Sequence, residues 1–372
     1  MVKFAGHSIL IAKIKFLNKL ALTDELLMSR CLDLAKSGFP AVLPNPMVGA
    51  LIVSEARIIA EGYHHYFGGI HAEVDAIRKV KDKEILRKST LYVNLEPCSH
   101  FGKTPPCVHQ IIEAGIPEVV VAGKDPNPLV NGRGINILKE HGIVVREGVR
   151  ETEAIELNKR FYTFYRKNRP YIILKFATTK DGFLAKENYY SKWISNEYSR
   201  ILVHKWRGEE MAILTGANTV RYDDPHLTNR FSKTGNPVRI FFDRDLSIPV
   251  TKHIFDNSSR TIVYNFVKED KDNQTEWVKL DRTKDFIAQI INHLFTINIQ
   301  SLIVEGGAKI LSAFLDRNLW DEARIFTAEK LFRSGIKAPE IRVDPFETIE
   351  IIDNQLNIYF NSGQGLKKPD KA

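Results

Sequence analysis

The sequence predicts an α/β protein of two domains, each built on a sheet with helices packed against it. Three observations predict it. The chain has 372 residues, more than one ordinary core takes. Short β-rich runs alternate with helical stretches of about 10 to 15 residues in both halves. Between the halves, GVRETEAIELNKRFYTFYRKNRP reads as a connecting helix with a basic, aromatic end, broken at Arg169-Pro170. The expected divisions are an extension over 1–22, a first domain over 23–167 and a second over 168–372.

The first helix is expected from Asp24 to Ser37. Thr23 suits the N-cap, Asp24 and Glu25 suit the positive helix start, and Gly38 with Pro40 stops it. Leu27, Cys31, Leu34 and Ala35 recur at helical spacing, which makes Cys31 a core residue. MVGALIV and RIIAEGY follow as strands, then a helix from His71 to Lys81, the strand TLYVNL, a helix opening at Pro105-Pro106, the strand EVVVAG and one more helix–strand pair. Beyond the break, YIILKFA, EMAILTG, PVRIFFD, RTIVYNF and QSLIVEGG are strands with helical stretches between them.

A hydrophobic fraction of 44% and a charged fraction of 26% are those of a globular chain. No apolar run approaches the roughly 18 to 20 residues of a membrane span. The net charge of +8 suits nucleic acid and phosphorylated metabolites equally. Three cysteines give no disulfide framework and point to a reducing, cytoplasmic setting. Residues 1–22 contain no Asp, Glu or Arg, and their longest apolar stretch, Ile9 to Ala12, is too short for a signal-peptide core. They are expected to be a dispensable extension or the product of a start codon placed too early.

His71-Ala72-Glu73 stands where a loop enters a helix, Leu95-Glu96-Pro97-Cys98 where a strand ends, and Cys107 in the first turn of the next helix. Such places expose unpaired N–H groups and a positive dipole end, so both cysteines are expected as thiolates. An imidazole and two thiolates leave the fourth tetrahedral position of a zinc ion open to water. Glu73 is near enough to move that water's proton to a leaving amine without being a ligand. A lone H-A-E triplet is a weak signal, and two cysteines spaced C-x8-C are often plain buried thiols. Their order and their placement at element boundaries carry the reading, and no fourth Cys or His stands nearby to close a structural site. H-x-E…P-C is the signature of zinc-dependent nucleobase deaminases, although those usually show C-x-x-C.

The stretches PNPMVGALIV, GYHHYFGGIHAEVDAI, VNLEPCSHFGKTPPC and KDPNPLVNGRGI resemble the deaminase half of the bifunctional riboflavin-biosynthesis deaminase/reductase family, in which the longer cysteine spacing is normal. The resemblance implies a cytidine-deaminase-like three-layer α/β/α domain. It also implies hydrolytic removal of an amino group from a diaminopyrimidinone carrying a phosphoribosylamino group. By the same matching, Asn45, His64, His100, Lys103, Asp125 and Asn127 would line the pyrimidine pocket. For Asn45 and Asn127, each beside proline, plain turn chemistry is the rival reading.

In the second half, Val304-Glu305-Gly306-Gly307 ends a strand and opens a helix, a place where backbone N–H groups approach phosphate. It lacks the G-x-G-x-x-G fingerprint, so the common dinucleotide fold is not supported. Together with KFATTKDG, SKWI and TVRYDDP followed by LTNR, this loop resembles the reductase half of the same family, whose fold is dihydrofolate-reductase-like. The resemblance implies NADPH-dependent reduction of the ribosyl group to a ribityl chain. It places Lys175, Ser191, Arg207, Leu227, Arg230 and Glu305 on the sugar-phosphate substrate. Ala177, Trp193, Thr219, Asp223 and Gly307 would meet the cofactor, and Arg244 would meet its 2′-phosphate or else form a surface salt bridge. Thr179 departs from the serine commoner in the family motif, and FTAEKLFRSG departs from its usual Pro/Gly pattern, which puts the local loop geometry in doubt.

The expected cofactors are one zinc ion and NADPH. The expected partners are the phosphorylated pyrimidine and further copies of the chain, with no nucleic acid and no membrane. A nucleic-acid deaminase with an RNA-gripping second half is the rival, but no RNA-binding signature is present and the Glu-Gly-Gly loop would be unexplained. A non-catalytic descendant is opposed by the intact ligand trio and Glu73.

Overall fold

Thr23 opens the first helix, α1 (Asp24–Lys36), its hydroxyl oxygen accepting the N–H of Leu26 at 3.3 Å. The apolar face of α1, with Leu27, Met28 and Cys31, is fully covered, and Cys31 lies in the core as its spacing predicts. The computed structural model describes residues 22–100, 105–189, 194–231 and 234–361, so the predicted N-terminal extension lies almost entirely outside the described residues. The chain divides into two compact units between Tyr162 and Thr163.

In the first unit the elements alternate as the sequence predicts: β1 (Gly49–Ser54), β2 (Arg57–Tyr63), α2 (Ala72–Lys79), β3 (Thr90–Leu95), α3 (Cys107–Glu113), β4 (Glu118–Gly123), α4 (Arg133–Glu140), β5 (Val144–Glu147) and α5 (Glu151–Leu157). The sheet order is β2-β1-β3-β4-β5. The β1 strand runs antiparallel to both neighbours, and β3, β4 and β5 are parallel. The period of two in a strand sorts the core into two layers. Ala50, Ile52, Leu91, Val93, Val119 and Val121 pack under α2, α3 and α4. Leu51, Val53, Tyr92, Val120 and Ala122 pack under α1 and α5 on the other face. This is the three-layer α/β/α arrangement.

The second unit begins within α6 (Lys159–Lys167). It continues through β6 (Tyr171–Thr179), β7 (Phe183–Ala185), α7 (Glu197–Glu209), β8 (Ala212–Gly216), α8 (Ala217–Asp223), β9 (Val238–Phe242), β10 (Thr261–Asn265), β11 (Asp270–Asp272) and β12 (Thr275–Lys279). Then come α9 (Phe286–Thr296), β13 (Ser301–Glu305), α10 (Ala308–Asp316), β14 (Glu322–Ala328), β15 (Ile336–Lys337), β16 (Glu347–Ile351) and β17 (Asn354–Phe360). The main sheet runs β11-β12-β10-β9-β8-β13-β6-β14-β17-β16, with seven central strands parallel and antiparallel hairpin partners at its edges. It is the dihydrofolate-reductase-like α/β fold. Ile172, Leu174, Leu302 and Val304 pack beneath α9 and α10. The intervening Ile173 and Ile303 face the other layer.

The loop before β1 is held by two buried amides. Asn158 accepts the Met47 N–H at 2.8 Å and donates to its carbonyl at 2.9 Å, and Asn94 accepts the Gly49 N–H at 2.7 Å. Truncating Asn158 leaves the Met47 N–H without a partner in a dry site, while the Met47 carbonyl keeps the Asn94 side-chain amide at 3.1 Å. Asn158→Ala is expected to lower the unfolding free energy by about 1–3 kcal/mol, read as a lower denaturant midpoint; an unchanged midpoint would contradict this anchoring.

Candidate active sites

Three element ends meet in the first unit. His71 is the extended N-cap of α2, Cys98 follows the end of β3, and Cys107 is the first residue of α3. The ring Nδ1 of His71 stands 3.2 Å from Cys107 Sγ and 3.4 Å from Cys98 Sγ. The three ligand atoms all lie within 4.8 Å of one another, the one such cluster among the described residues. A tetrahedral ion at about 2.0–2.1 Å from nitrogen and about 2.3 Å from sulfur separates those atoms by roughly 3.5 Å. The donor set therefore fits zinc.

The two sulfurs differ. The hydrogen bond with Cys107 holds Cys98 down to about 4, against burial, with His71 adding to the effect. The same bond, with burial, pushes the Cys107 thiol well above its usual value. The sequence predicts two thiolates at helix and strand ends; between the sulfurs alone, their hydrogen bond favours the thiolate at Cys98 and the thiol at Cys107. The hydrogen bond to Cys98 raises His71 to about 9, outweighing its burial.

Glu73, in the first turn of α2, is 3% exposed. Burial pushes its carboxyl up, with His71 opposing. A carboxyl displaced toward the neutral range beside the ligand trio can hold and release a proton. His64 is buried, and its ring packs edge-on to His71 at 5.4 Å between centroids. Its Nε2 lies 3.1 Å from Asn45 Nδ2 and its Nδ1 is 2.9 Å from the Ile70 carbonyl. Burial holds this imidazole below its usual value. Asp125 is buried near Cys98 and Glu96, and burial raises it to about 7. Asn127 donates its N–H to Asp125 at 2.8 Å and caps Leu129 N with its own side-chain oxygen, so turn chemistry is present there. His100 is exposed, and Lys103 lies outside the described residues.

In the second unit, Lys175, Ala177, Arg207, Thr219, Asp223, Leu227, Arg244, Glu305 and Gly307 line one cavity of about 1030 Å³. Adjacent strands put Lys175 and Glu305 in register. Glu305 accepts both arms of the Arg207 guanidinium at 3.0 and 2.8 Å and stands 3.5 Å from Lys175 Nζ. Burial alone would raise Glu305, but Arg207 and Lys175 outweigh it and hold the carboxyl near 2. Burial also lowers Lys175. Arg230 is not among the lining residues; it is turned onto His204, with a nitrogen 3.2 Å from Nε2. Arg244 lines the cavity and reaches Asp245 at 3.6 Å, the surface salt bridge that was one of the two readings offered for it. Ser191 and Trp193 lie outside the described residues.

The Glu-Gly-Gly turn lines the same cavity and leaves no room for a side chain at its first glycine. Gly306 has φ +146°, and a Cβ there would stand 2.4 Å from Thr215 Oγ1. That hydroxyl is buried without a hydrogen-bond partner and lines the same cavity. Gly307 donates its N–H to Thr219 Oγ1 at 3.2 Å. The departure at Thr179 keeps the hydroxyl bond, which goes to Asp181 at 2.6 Å. Asp181 in turn accepts the N–H groups of Phe332 and Arg333, so the FTAEKLFRSG loop is anchored. Glu96 and Thr215 are residues that sequence reasoning passed over; an acidic residue between an apolar strand and Pro-Cys was the one available sign of Glu96.

Two classes of domain account for this arrangement. Residues 22–123 match the cytidine and deoxycytidylate deaminase zinc-binding region, and residues 170–335 match the RibD C-terminal domain. The riboflavin biosynthesis protein RibD of Aquifex aeolicus is 41% identical over 329 residues, covering 87% of this chain and 92% of the relative. That of Escherichia coli is 37% identical over 333 residues, covering 84% and 90%. Among solved structures, the diaminohydroxyphosphoribosylaminopyrimidine deaminase/5-amino-6-(5-phosphoribosylamino)uracil reductase of Thermotoga maritima is 39% identical, with a TM-score of 0.80 over 90% of this chain and 97% of that one. A RibD structure from Acinetobacter baumannii gives 31% and 0.83 over 91% and 98%. The chain belongs to the RibD family of riboflavin biosynthesis proteins.

Because Glu305 lies near 2 in the folded unit and near 4.5 when unfolded, the folded state binds fewer protons between those values. Its contribution to stability is present above about pH 4.5 and fades as pH falls toward 2. Glu305→Gln is expected to flatten this limb of the stability–pH curve; equal slopes in variant and parent would contradict the buried ion cluster.

Proposed function

We propose that the first domain (23–167) hydrolytically deaminates 2,5-diamino-6-(5-phosphoribosylamino)pyrimidin-4-one and that the second (168–372) reduces the ribosyl chain of the product with NADPH. The observation that carries the reading is the His71–Cys98–Cys107 triangle with buried Glu73 at its side, in a chain of the RibD family. His71, Cys98 and Cys107 would hold zinc, which supplies the Lewis acidity that makes water nucleophilic near neutral pH. Glu73 takes the water's proton and returns it to the departing amine, a transfer suited to a carboxyl that burial has raised. His64, kept neutral, and Asn45 form a hydrogen-bonded pair beside the ligands, placed to orient the pyrimidine with Asp125 and Asn127. His100 and Lys103 are assigned to the same pocket on the resemblance alone.

In the second domain NADPH supplies the hydride, and the protein's work is placement. Arg207 and Lys175, gathered by Glu305, present two cations toward a phosphorylated sugar, and a guanidinium suits bidentate contact with phosphate. Leu227 lines the same region, and Ser191 and Arg230 are assigned with them by matching. Ala177, Thr219, Asp223 and Gly307, with Trp193, would receive the cofactor, and Arg244 its 2′-phosphate. Three free thiols support a reducing, cytoplasmic setting. Among the described residues no helix is long and apolar enough to cross a membrane. An assembly of several copies belongs to the same proposal and is read by sedimentation.

The reading is tested by incubating purified protein with the diaminopyrimidinone phosphate and NADPH. Ammonia release followed by NADPH oxidation is expected; ammonia release alone would leave the reductase half without support. Glu73→Gln is expected to keep zinc and lose about 10²–10⁴-fold in deamination rate; retention of the parent rate would remove the shuttle role. Arg244→Ala is expected to raise KM for NADPH about tenfold while leaving NADH kinetics alone, and an equal effect on both cofactors would contradict a 2′-phosphate contact.

A further inference from the structure

Glu96 is a deaminase-side carboxylate that the chemistry above does not use. It is 3% exposed, and main-chain amides occupy both its oxygens. Oε2 accepts the N–H groups of Asp125 at 3.2 Å and Gly132 at 2.8 Å; Oε1 accepts those of Gly134 at 2.9 Å and Ile135 at 3.4 Å. Glu96 follows β3 directly and stands two residues before Cys98. Its four donors belong to the segment that carries Asp125 and Asn127 and to the start of α4, where Gly132 is the N-cap. The same segment presses on the next residue of the strand end, since a Cβ on Gly134 would lie 2.1 Å from the Pro97 carbonyl oxygen.

We infer that Glu96 is a positioning residue for deamination, holding the 125–135 segment against the strand end that bears Cys98 so that the pyrimidine is seated at the zinc site. The inference rests on the reading of Asp125 and Asn127 as pocket residues. Charge and geometry both require a carboxylate here. An ionised Glu is acceptor-only, with room for four donors on two oxygens. A glutamine in either amide orientation aims its NH₂ at two N–H groups and leaves them unpaired in a buried place. The β3 end is fixed by its pairing in register with β4 on one side and β1 on the other, so the loop is the part that yields.

The test uses the zinc-loaded full chain and two variants, Glu96→Gln and Gly134→Ala. The second leaves the carboxylate intact and forces the segment off Pro97. Four readouts are taken: KM and kcat for ammonia release, zinc per chain, reductase kinetics with deaminated pyrimidine and NADPH, and amide exchange over 125–135. In Glu96→Gln we expect KM to rise about tenfold or more with a smaller change in kcat. Zinc stays at one per chain, reductase kinetics match the parent, and exchange at Gly132 and Gly134 is faster. Gly134→Ala moves KM in the same direction. Parental KM in both variants, or exchange unchanged in Glu96→Gln, would overturn the inference, as would zinc loss in step with activity, which would make Glu96 a support for Cys98 alone. If Glu96→Gln cannot be recovered folded, a parental KM in Gly134→Ala overturns it. A parent that holds zinc and releases no ammonia counts against the proposed function, and the exchange data then decide the role of Glu96 separately.

Discussion

An imidazole nitrogen and two sulfurs lie within 4.8 Å of one another because three separate stretches of chain stop at one point. Here the stops are the end of β3 and the first turns of α2 and α3. The hydrogen bond between the sulfurs holds Cys98 down and pushes Cys107 up, and Cys98 draws the ring toward its cationic form. This is the electrostatic state of a site built for a divalent ion, which replaces both protons with one charge centre. The strand order, the two-faced core and the amide clamps on Met47 all serve to keep those three ends together.

The second unit solves a different problem with the same device of adjacent parallel strands. Lys175 and Glu305 face each other across β6 and β13, and Arg207 arrives from α7. Removing three charges from water is costly, and the cluster persists because each is paired. The net surplus of positive charge points to an anionic occupant. Directly after Glu305, the Gly306 turn brings the backbone against the buried Thr215 hydroxyl, which has no hydrogen-bond partner.

Much of this was legible in the residues. RIIAEGY, TLYVNL and EVVVAG are strands to the residue; the last two are buried runs bounded by turns, and the first alternates buried with more exposed positions over its second half. The ligand trio was legible because His, Cys and Cys stand beside chain-breaking signals. The edge strand ETIEI and its neighbour NQLNIYF were not read; the first is largely exposed, and pairing rather than burial holds it. Glu96 was hidden for another reason: its partners are backbone amides 29 to 39 residues away, and no pattern of side chains announces them. The placement of the Arg230 head group on His204 was likewise not legible, since no spacing links the two residues.

The account turns on the identity and number of donors around the metal. X-ray absorption at the zinc K-edge of the full-length protein measures them directly. We expect two sulfurs at about 2.3 Å, one imidazole nitrogen at about 2.0 Å and one further light-atom ligand. A shell of four protein ligands, or protein that retains no zinc while folded and active in deamination, would contradict it.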